Sequence, residues 1–230
     1  MQSVNRWCAE NEMILNLSKG KTEAMLFGTS KNLAKQDDTF NVEYGFQNIK
    51  FTVSYKYLAI IIDPTLNLNS NFNSSYKKAT GKLRLLYKIQ PMLTQQASKS
   101  IYQLMIQPTL SYCGFLSLNQ TEGQRNKLRS FHNRACSLNN SNCNTQVNIT
   151  SSMNVTSARS CQFIRQCLDG NVCSNYVDYF HYSGHSKNTR NNGYSIVLPK
   201  IRLEYARGSF HYSGAKLYNQ LPLTIRKTDS

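Results

Sequence analysis

The hydrophobic period of this 230-residue chain changes at Asp63-Pro64. Before that point apolar residues alternate: Phe40, Val42 and Tyr44, then Ile49, Phe51 and Val53. Residues 57–62 follow as a short continuous apolar run rich in β-branched side chains, which reads as a buried strand. After it, Tyr76, Ala79, Leu83 and Leu86 fall at i, i+3, i+7 and i+10, the spacing of an amphipathic helix. No all-α or all-β fold satisfies both periods. The expected class is therefore α+β: short antiparallel strands first, then a mainly helical bundle, then a mixed C-terminal extension.

The helical part has further punctuation. Thr94 is placed to N-cap a second helix, with Ala97, Ile101, Leu104 and Met105 facing inward. Pro108 ends that helix or starts the next. Thr121 and Gln124 have the spacing of a capping box, and the helix they open puts Leu128, Phe131, Ala135 and Leu138 on one face. Around that face lie Arg125, Lys127, Arg129 and Arg134. In the first part, Val4, Trp7, Cys8 and Asn11 have helical spacing, residues 22–27 read as a strand ending at Gly28, and residues 28–38 read as a polar loop. In the last part, residues 139–154 form an Asn/Ser/Thr-rich linker and residues 158–168 a helix. Tyr194, Ile196, Leu198 and then Ile201, Leu203, Tyr205 alternate as a hairpin would, and residues 213–221 form a helix stopped by Pro222. The resulting division is 1–63, 64–138, a linker at 139–157, and 158–230.

Charge follows the same division. Residues 64–138 hold ten Lys or Arg against one acid, Glu122, which is +9 of the total +15. Residues 1–63 balance seven bases with seven acids, and residues 139–230 carry ten bases and four acids. Cations concentrated on a helical stretch are the footprint of a polyanion, most often nucleic acid. At about 100° per residue Lys77, Arg84 and Lys88 share the side opposite the apolar stripe. Lys78 and Lys82 flank the apolar stripe and either join that surface or lie along it. The seven Cys are irregularly spaced, unlike a disulfide scaffold. No signal-peptide core leads the chain, and no apolar run approaches the ~20 residues of a membrane span. The expectation is an intracellular protein, nuclear or cytoplasmic, with no membrane partner.

Several short motifs occur in a telling order. Arg6-Trp7-Cys8 and Asn11 precede Leu15-Asn16, Lys21-Thr22-Glu23 and Met25-Leu26-Phe27-Gly28. Tyr55-Lys56-Tyr57-Leu58 leads to Ile62-Asp63. Leu86-Tyr87-Lys88, Ile101-Tyr102, Pro108-x-Leu110-Ser111-Tyr112-Cys113 and Asn133-Arg134-Ala135 follow. The series, covering residues 1–138, resembles the reverse transcriptases of non-LTR (LINE-like) retrotransposons of the jockey type. Gly208-Ser209-Phe210, Gly214-Ala215-Lys216-Leu217 and Asn219-x-Leu221-Pro222 resemble the tail of such polyproteins.

The resemblance implies that residues 1–63 are the end of the palm, with Lys21 as its lysine and Lys19 as a competitor. Tyr57, Leu58 and Ala59 would lie in the primer-grip hairpin, where many relatives have glycine in place of Ala59. Residues 64–138 would be the thumb, holding an RNA–DNA hybrid or duplex without regard to sequence, with Lys77, Lys78, Lys82, Arg84, Lys88, Arg125, Arg129 and Arg134 as nucleic-acid contacts. The complete enzyme would use Mg held by carboxylates of an aromatic-Ala-Asp-Asp hairpin preceding Trp7, in an N-terminal polymerase part missing from this chain. Asp37-Asp38 stands after the lysine element instead of before it, and reads as a solvated loop. No catalytic residue and no cofactor are expected in this chain. The alternative is a catalytically empty relic or a domesticated interaction module with no nucleic-acid role. Cys167-x5-Cys173-x7-His181-x3-His185 is too widely spaced for a compact zinc knuckle. Gly20-Lys21-Thr22 lacks the first glycine of a P-loop, since position 15 is Leu15.

Overall fold

A computed structural model describes residues 2–18, 21–35, 41–44, 47–139, 150–183, 194–202 and 204–227. The class is α+β, and helix dominates. The chain divides into two compact units, Met1–Ser74 and Ser75–Ser230.

The first unit starts with α1 (Gln2–Glu10) and a single helical turn, α2 (Ser30–Leu33), in the stretch expected to be all loop. Thr29 makes that turn by accepting from the Asn32 amide. Strands β1 (Val42–Tyr44) and β2 (Gln47–Ile49) pair antiparallel, with Val42 opposite Ile49. Residues 22–27 do not form the expected strand; their pairing is one isolated parallel bridge, Ala24 to Phe51. The 57–62 run is not a buried strand either. It is the second half of a hairpin in which β3 (Tyr55–Tyr57) pairs with β4 (Ile60–Ile62). Leu58 and Ala59 make the two-residue turn, both left-handed at φ 45° and 66°. Non-glycine residues reach that region at a cost of about 1–2 kcal/mol each, so the turn gives no glycine or asparagine signal in the sequence. Ile60 is buried, whereas Tyr57 and Leu58 are exposed.

Asp63 organises the chain beyond the hairpin. Its carboxylate accepts from the amides of Thr65, Asn67 and Leu68 and from the Thr65 hydroxyl. Asn67 then accepts from the Asn69 amide, where α3 (Asn69–Ile89) begins. Partial burial pushes the Asp63 carboxyl up, but the hydrogen bonds outweigh it and hold the group below the ordinary 3.8.

The second unit is helical. Along α3, Ala79, Leu83 and Leu86 are buried as the period predicts, with Tyr76 packed against them. α4 (Gln95–Ile101) starts at Thr94, whose hydroxyl accepts from the Ala97 amide. The helical path then widens into a π turn at Tyr102–Ile106 and runs into α5 (Gln107–Ser111). The inward face already runs one residue past the expected one at Ser98 and Tyr102, and the π turn then carries it to Ile106. Ser98, Tyr102 and Ile106 are buried, and Leu104 and Met105, expected inside, are 77% and 56% exposed. Pro108 therefore neither ends the helical path nor interrupts it; it occupies the first turn of α5, where a missing N–H costs little.

α6 (Glu122–Asn139) carries the capping box in full. The Thr121 amide donates to Gln124 Oε1 at 3.0 Å, and the Gln124 amide donates to Thr121 Oγ1 at 3.3 Å. Leu128, Phe131, Ala135 and Leu138 are buried, the last three in one cluster with the α3 and π-turn residues.

The linker expected at 139–157 ends earlier than its composition implies. α7 (Ser152–Leu168) begins at Ser151, which caps the Asn154 amide. Gly114, in a 3₁₀ turn at Gly114–Ser117, must lack a side chain because a Cβ there would collide with Thr156 of α7. A second cluster holds Ile164, Cys167, Phe180, Ile196, Ala215 and Tyr218 between α7, α8 (Ser174–Val177) and α9 (Phe210–Asn219), before the short α10 (Leu223–Lys227). Among the described residues the hairpin expected at 194–205 does not form; Leu203 lies outside them. The Ile196 backbone is satisfied at N–H and C=O by the Asn219 side chain, at 2.8 and 2.9 Å, and residues Glu204–Gly208 coil into a 3₁₀ turn.

Candidate nucleic-acid interface

Four faces of α3 have different work. The stripe around Ala79, Leu83 and Leu86 enters the core. Beside it, Tyr87 Oη donates to the Arg134 carbonyl at 2.8 Å and Gln90 Nε2 donates to the Leu138 carbonyl at 3.1 Å. Both acceptors lie in the last two turns of α6, and the Leu138 carbonyl is one of the final four that have no intrahelical donor. On the other flank, Lys82 Nζ donates to the Met105 carbonyl at 2.9 Å and to Thr109 Oγ1 at 2.8 Å. Lys82 ties α3 to the π turn and α5, which occupies a cation that the sequence offered to a ligand.

The remaining face is exposed and carries Lys77, Gly81, Arg84 and Lys88 at i, i+4, i+7 and i+11. Lys78 is exposed one residue round. Among the described residues, none of these four cations makes an ion pair or hydrogen bond to another side chain, and the acid of this stretch, Glu122, stands on α6.

The arginines of α6 are spoken for. Arg129 pairs with Glu122 at 3.0 Å and donates to Asn126 Oδ1 at 2.9 Å. Arg125 lies 3.6 Å from the same carboxylate and lines a cavity of about 60 Å³ with Leu110, Leu128 and Thr156. That volume is well under the few hundred Å³ of a small-molecule site. Arg134 donates to Tyr76 Oη at 3.1 Å and stands over the Phe131 ring, 5.8 Å from its centroid. Of the eight predicted contacts, the structure gathers Lys77, Arg84 and Lys88 on one open line, leaves Lys78 beside it, and places Lys82, Arg125, Arg129 and Arg134 in contacts within the protein.

In the first unit, Lys21 is exposed in a turn where its amide donates to the Ser18 carbonyl. Tyr57, Leu58 and Ala59 form the exposed tip of the β3–β4 hairpin. Lys19, Asp37-Asp38 and His185 lie outside the described residues.

Two features escaped the sequence reading. One is the π turn. The other is a Cys–His pair at i, i+4 on α6, with Cys136 Sγ 3.5 Å from His132 Nε2. Burial pushes the thiol up and the imidazole down, so both stay neutral, the opposite of an activated thiolate–imidazolium couple. Among the described residues no group of three or more His, Cys, Asp or Glu converges as metal ligands do. No helix of the described residues is long and apolar enough to cross a membrane. Comparisons with protein-family models, with curated proteins and with solved structures return no match.

Proposed function

We propose that this chain is the palm-end, primer-grip and thumb portion of a non-LTR retrotransposon reverse transcriptase, and that its own contribution is a sequence-independent grip on template–primer nucleic acid. The observation that carries this reading is the open line of Lys77, Arg84 and Lys88 on a helix whose opposite face is core. Lys and Arg contacts to phosphates hold a duplex by charge and shape and leave the base edges unread, which is what a moving template–primer requires. The ordered motif series and the β3–β4 hairpin followed by a basic helical unit support it from the chain side. The partners are an RNA–DNA hybrid or duplex and the N-terminal polymerase part that carries the catalytic carboxylates, in the nucleus or cytoplasm. The complete enzyme would draw on Mg, but the described residues do not fit such a site, because no carboxylates converge among them. On this reading the catalytic carboxylates belong to the N-terminal polymerase part, and the isolated chain is expected to extend no primer.

Binding of a fluorescent RNA–DNA hybrid, followed from low to physiological salt, tests the reading. The expected result is tight binding at low salt that weakens steeply as salt rises. Absence of binding at low salt, or binding indifferent to salt, overturns it. Binding to an acidic protein but not to the hybrid would favour a domesticated interaction module.

A further inference from the structure

Gly81 sits in the interior of α3, on the open line between Lys77 and Arg84. Glycine is the poorest helix former after proline, so an interior glycine calls for a reason. The backbone gives none, because Gly81 is not among the residues with positive φ. Packing gives none, because a Cβ added there would meet nothing within 4 Å. This contrasts with Gly114, where a Cβ would strike Thr156, and Gly214, where it would press on Ile164 and Phe210. A Cβ is excluded at position 114, crowded at position 214 and met by open space at position 81.

What glycine uniquely supplies on an outward helix face is room for another backbone to come close. The neighbours say which kind. Lys77 lies one turn before Gly81, Arg84 one turn after and Lys88 two turns after, on the same line, and no acid occurs on α3. Long cationic side chains rising on both sides of a missing one form a notch suited to an anionic strand. Their charged ends reach oxygens on either side of the nearest phosphate.

We propose that Gly81 is the contact notch of the basic face, the point where the sugar–phosphate backbone of the bound nucleic acid lies against α3. The proposal rests on the nucleic-acid reading above, and the experiment separates the two. Hybrid affinity at fixed low salt and thermal melting are measured for the wild-type chain, Gly81→Ala, Gly81→Leu, the triple variant Lys77→Ala/Arg84→Ala/Lys88→Ala, and Gly123→Ala. Gly123 is the control: it is a second helical glycine whose added Cβ meets nothing within 4 Å, but it lies on α6.

Gly81→Ala is expected to raise the melting temperature by about 2–4 °C while weakening the hybrid severalfold. Gly81→Leu is expected to fold equally well and weaken it by about tenfold or more, the scale of one lost close contact. Gly123→Ala is expected to leave affinity unchanged. If Gly81→Leu binds as wild type while the triple variant loses binding, the notch is wrong and the basic-face reading stands. If the triple variant binds as wild type, or the wild-type chain does not bind, the basic-face reading fails and the notch fails with it.

Discussion

Helices α3 and α6 are built from the same materials, an apolar stripe and a set of cations, and share one core cluster through Leu83, Leu86, Phe131 and Ala135. On α6 the three arginines have partners within the protein, Arg125 and Arg129 the exposed carboxylate of Glu122 and Arg134 the Tyr76 hydroxyl and Phe131 ring, while Lys127 is exposed beside them. On α3, Lys82 does the same, but Lys77, Arg84 and Lys88 reach nothing charged among the described residues. The difference teaches that a count of basic residues is not a binding site. An arginine with a carboxylate, a phenol and a ring already beside it has fewer donors to offer a phosphate. On the proposed reading, the surface left for a phosphate is the part of the charge that the fold leaves unused.

The comparison can be broken at its shared base. Phe131 is 1% exposed at the centre of the common cluster. Phe131→Ala is expected to cost about 3–5 kcal/mol, read by chemical denaturation, and to remove hybrid binding with it, because both helices lose their packing. Retained stability would mean that the two helices do not depend on one core.

The starts of the two helices give the next largest contrast. The lead into α3 hangs on a carboxylate, Asp63, and the start of α6 on the neutral Thr121–Gln124 box. Because the folded Asp63 carboxyl lies below its ordinary 3.8, its contribution is present above that value and is lost as pH falls through the folded one. Protection of the Thr65, Asn67 and Leu68 amides, corrected for the intrinsic exchange rate at each pH, is therefore expected to fall as pH drops below about 4, with Gln124 unaffected. Asp63→Asn is expected to abolish that pH step and to loosen the segment by roughly 1–3 kcal/mol. A pH step that persists in the variant would assign it to another group.

Smaller effects sharpen the division of labour. Arg134→Ala is expected to cost about 1 kcal/mol of stability and to leave hybrid affinity within twofold. Alanine at Lys77, Arg84 or Lys88 is expected to change stability by less than about 0.5 kcal/mol each. Reversed roles, with Arg134 setting affinity and the α3 cations setting stability, would contradict the account.

The sequence carried most of this comparison. Helical spacing placed Ala79, Leu83 and Leu86 inside, and the caps at Thr94 and Thr121 were readable because a hydroxyl three residues before a free amide is a local device. The α3 line was legible for the same reason, since it needs only the helix period. What was lost depended on partners distant in the chain. The commitments of Lys82 to Thr109 and of Arg134 to Tyr76 span 27 and 58 residues. Period counting puts Ala97 and Ile101 inside where the helix buries Ser98 and Tyr102, and because it assumes an unbroken α-helix it also misses the π turn that brings Ile106 inward in place of Met105. The turn at Leu58-Ala59 hid because neither residue favours the left-handed conformation it adopts. The start of α7 hid because Ser151 is both a cap and a linker residue by composition. Ile196 alternated like a strand, yet its backbone pairs with the Asn219 side chain, a contact no period encodes.

The first unit marks the limit of that reading. Ile14 is 96% exposed and Val53 81%, while its described buried apolar residues are Cys8, Ile49 and Ile60. Apolar side chains left exposed on that scale mark a surface suited to packing against something else.

The central claim concerns three side chains, and salt dependence tests it most directly. The slope of log affinity against log salt for an RNA–DNA hybrid counts the phosphates a protein neutralises. Between the wild-type chain and Lys77→Ala/Arg84→Ala/Lys88→Ala, the account predicts a slope shallower by about 3, roughly one for each cation removed, with the melting temperature unmoved. An unchanged slope in a folded triple variant would contradict it.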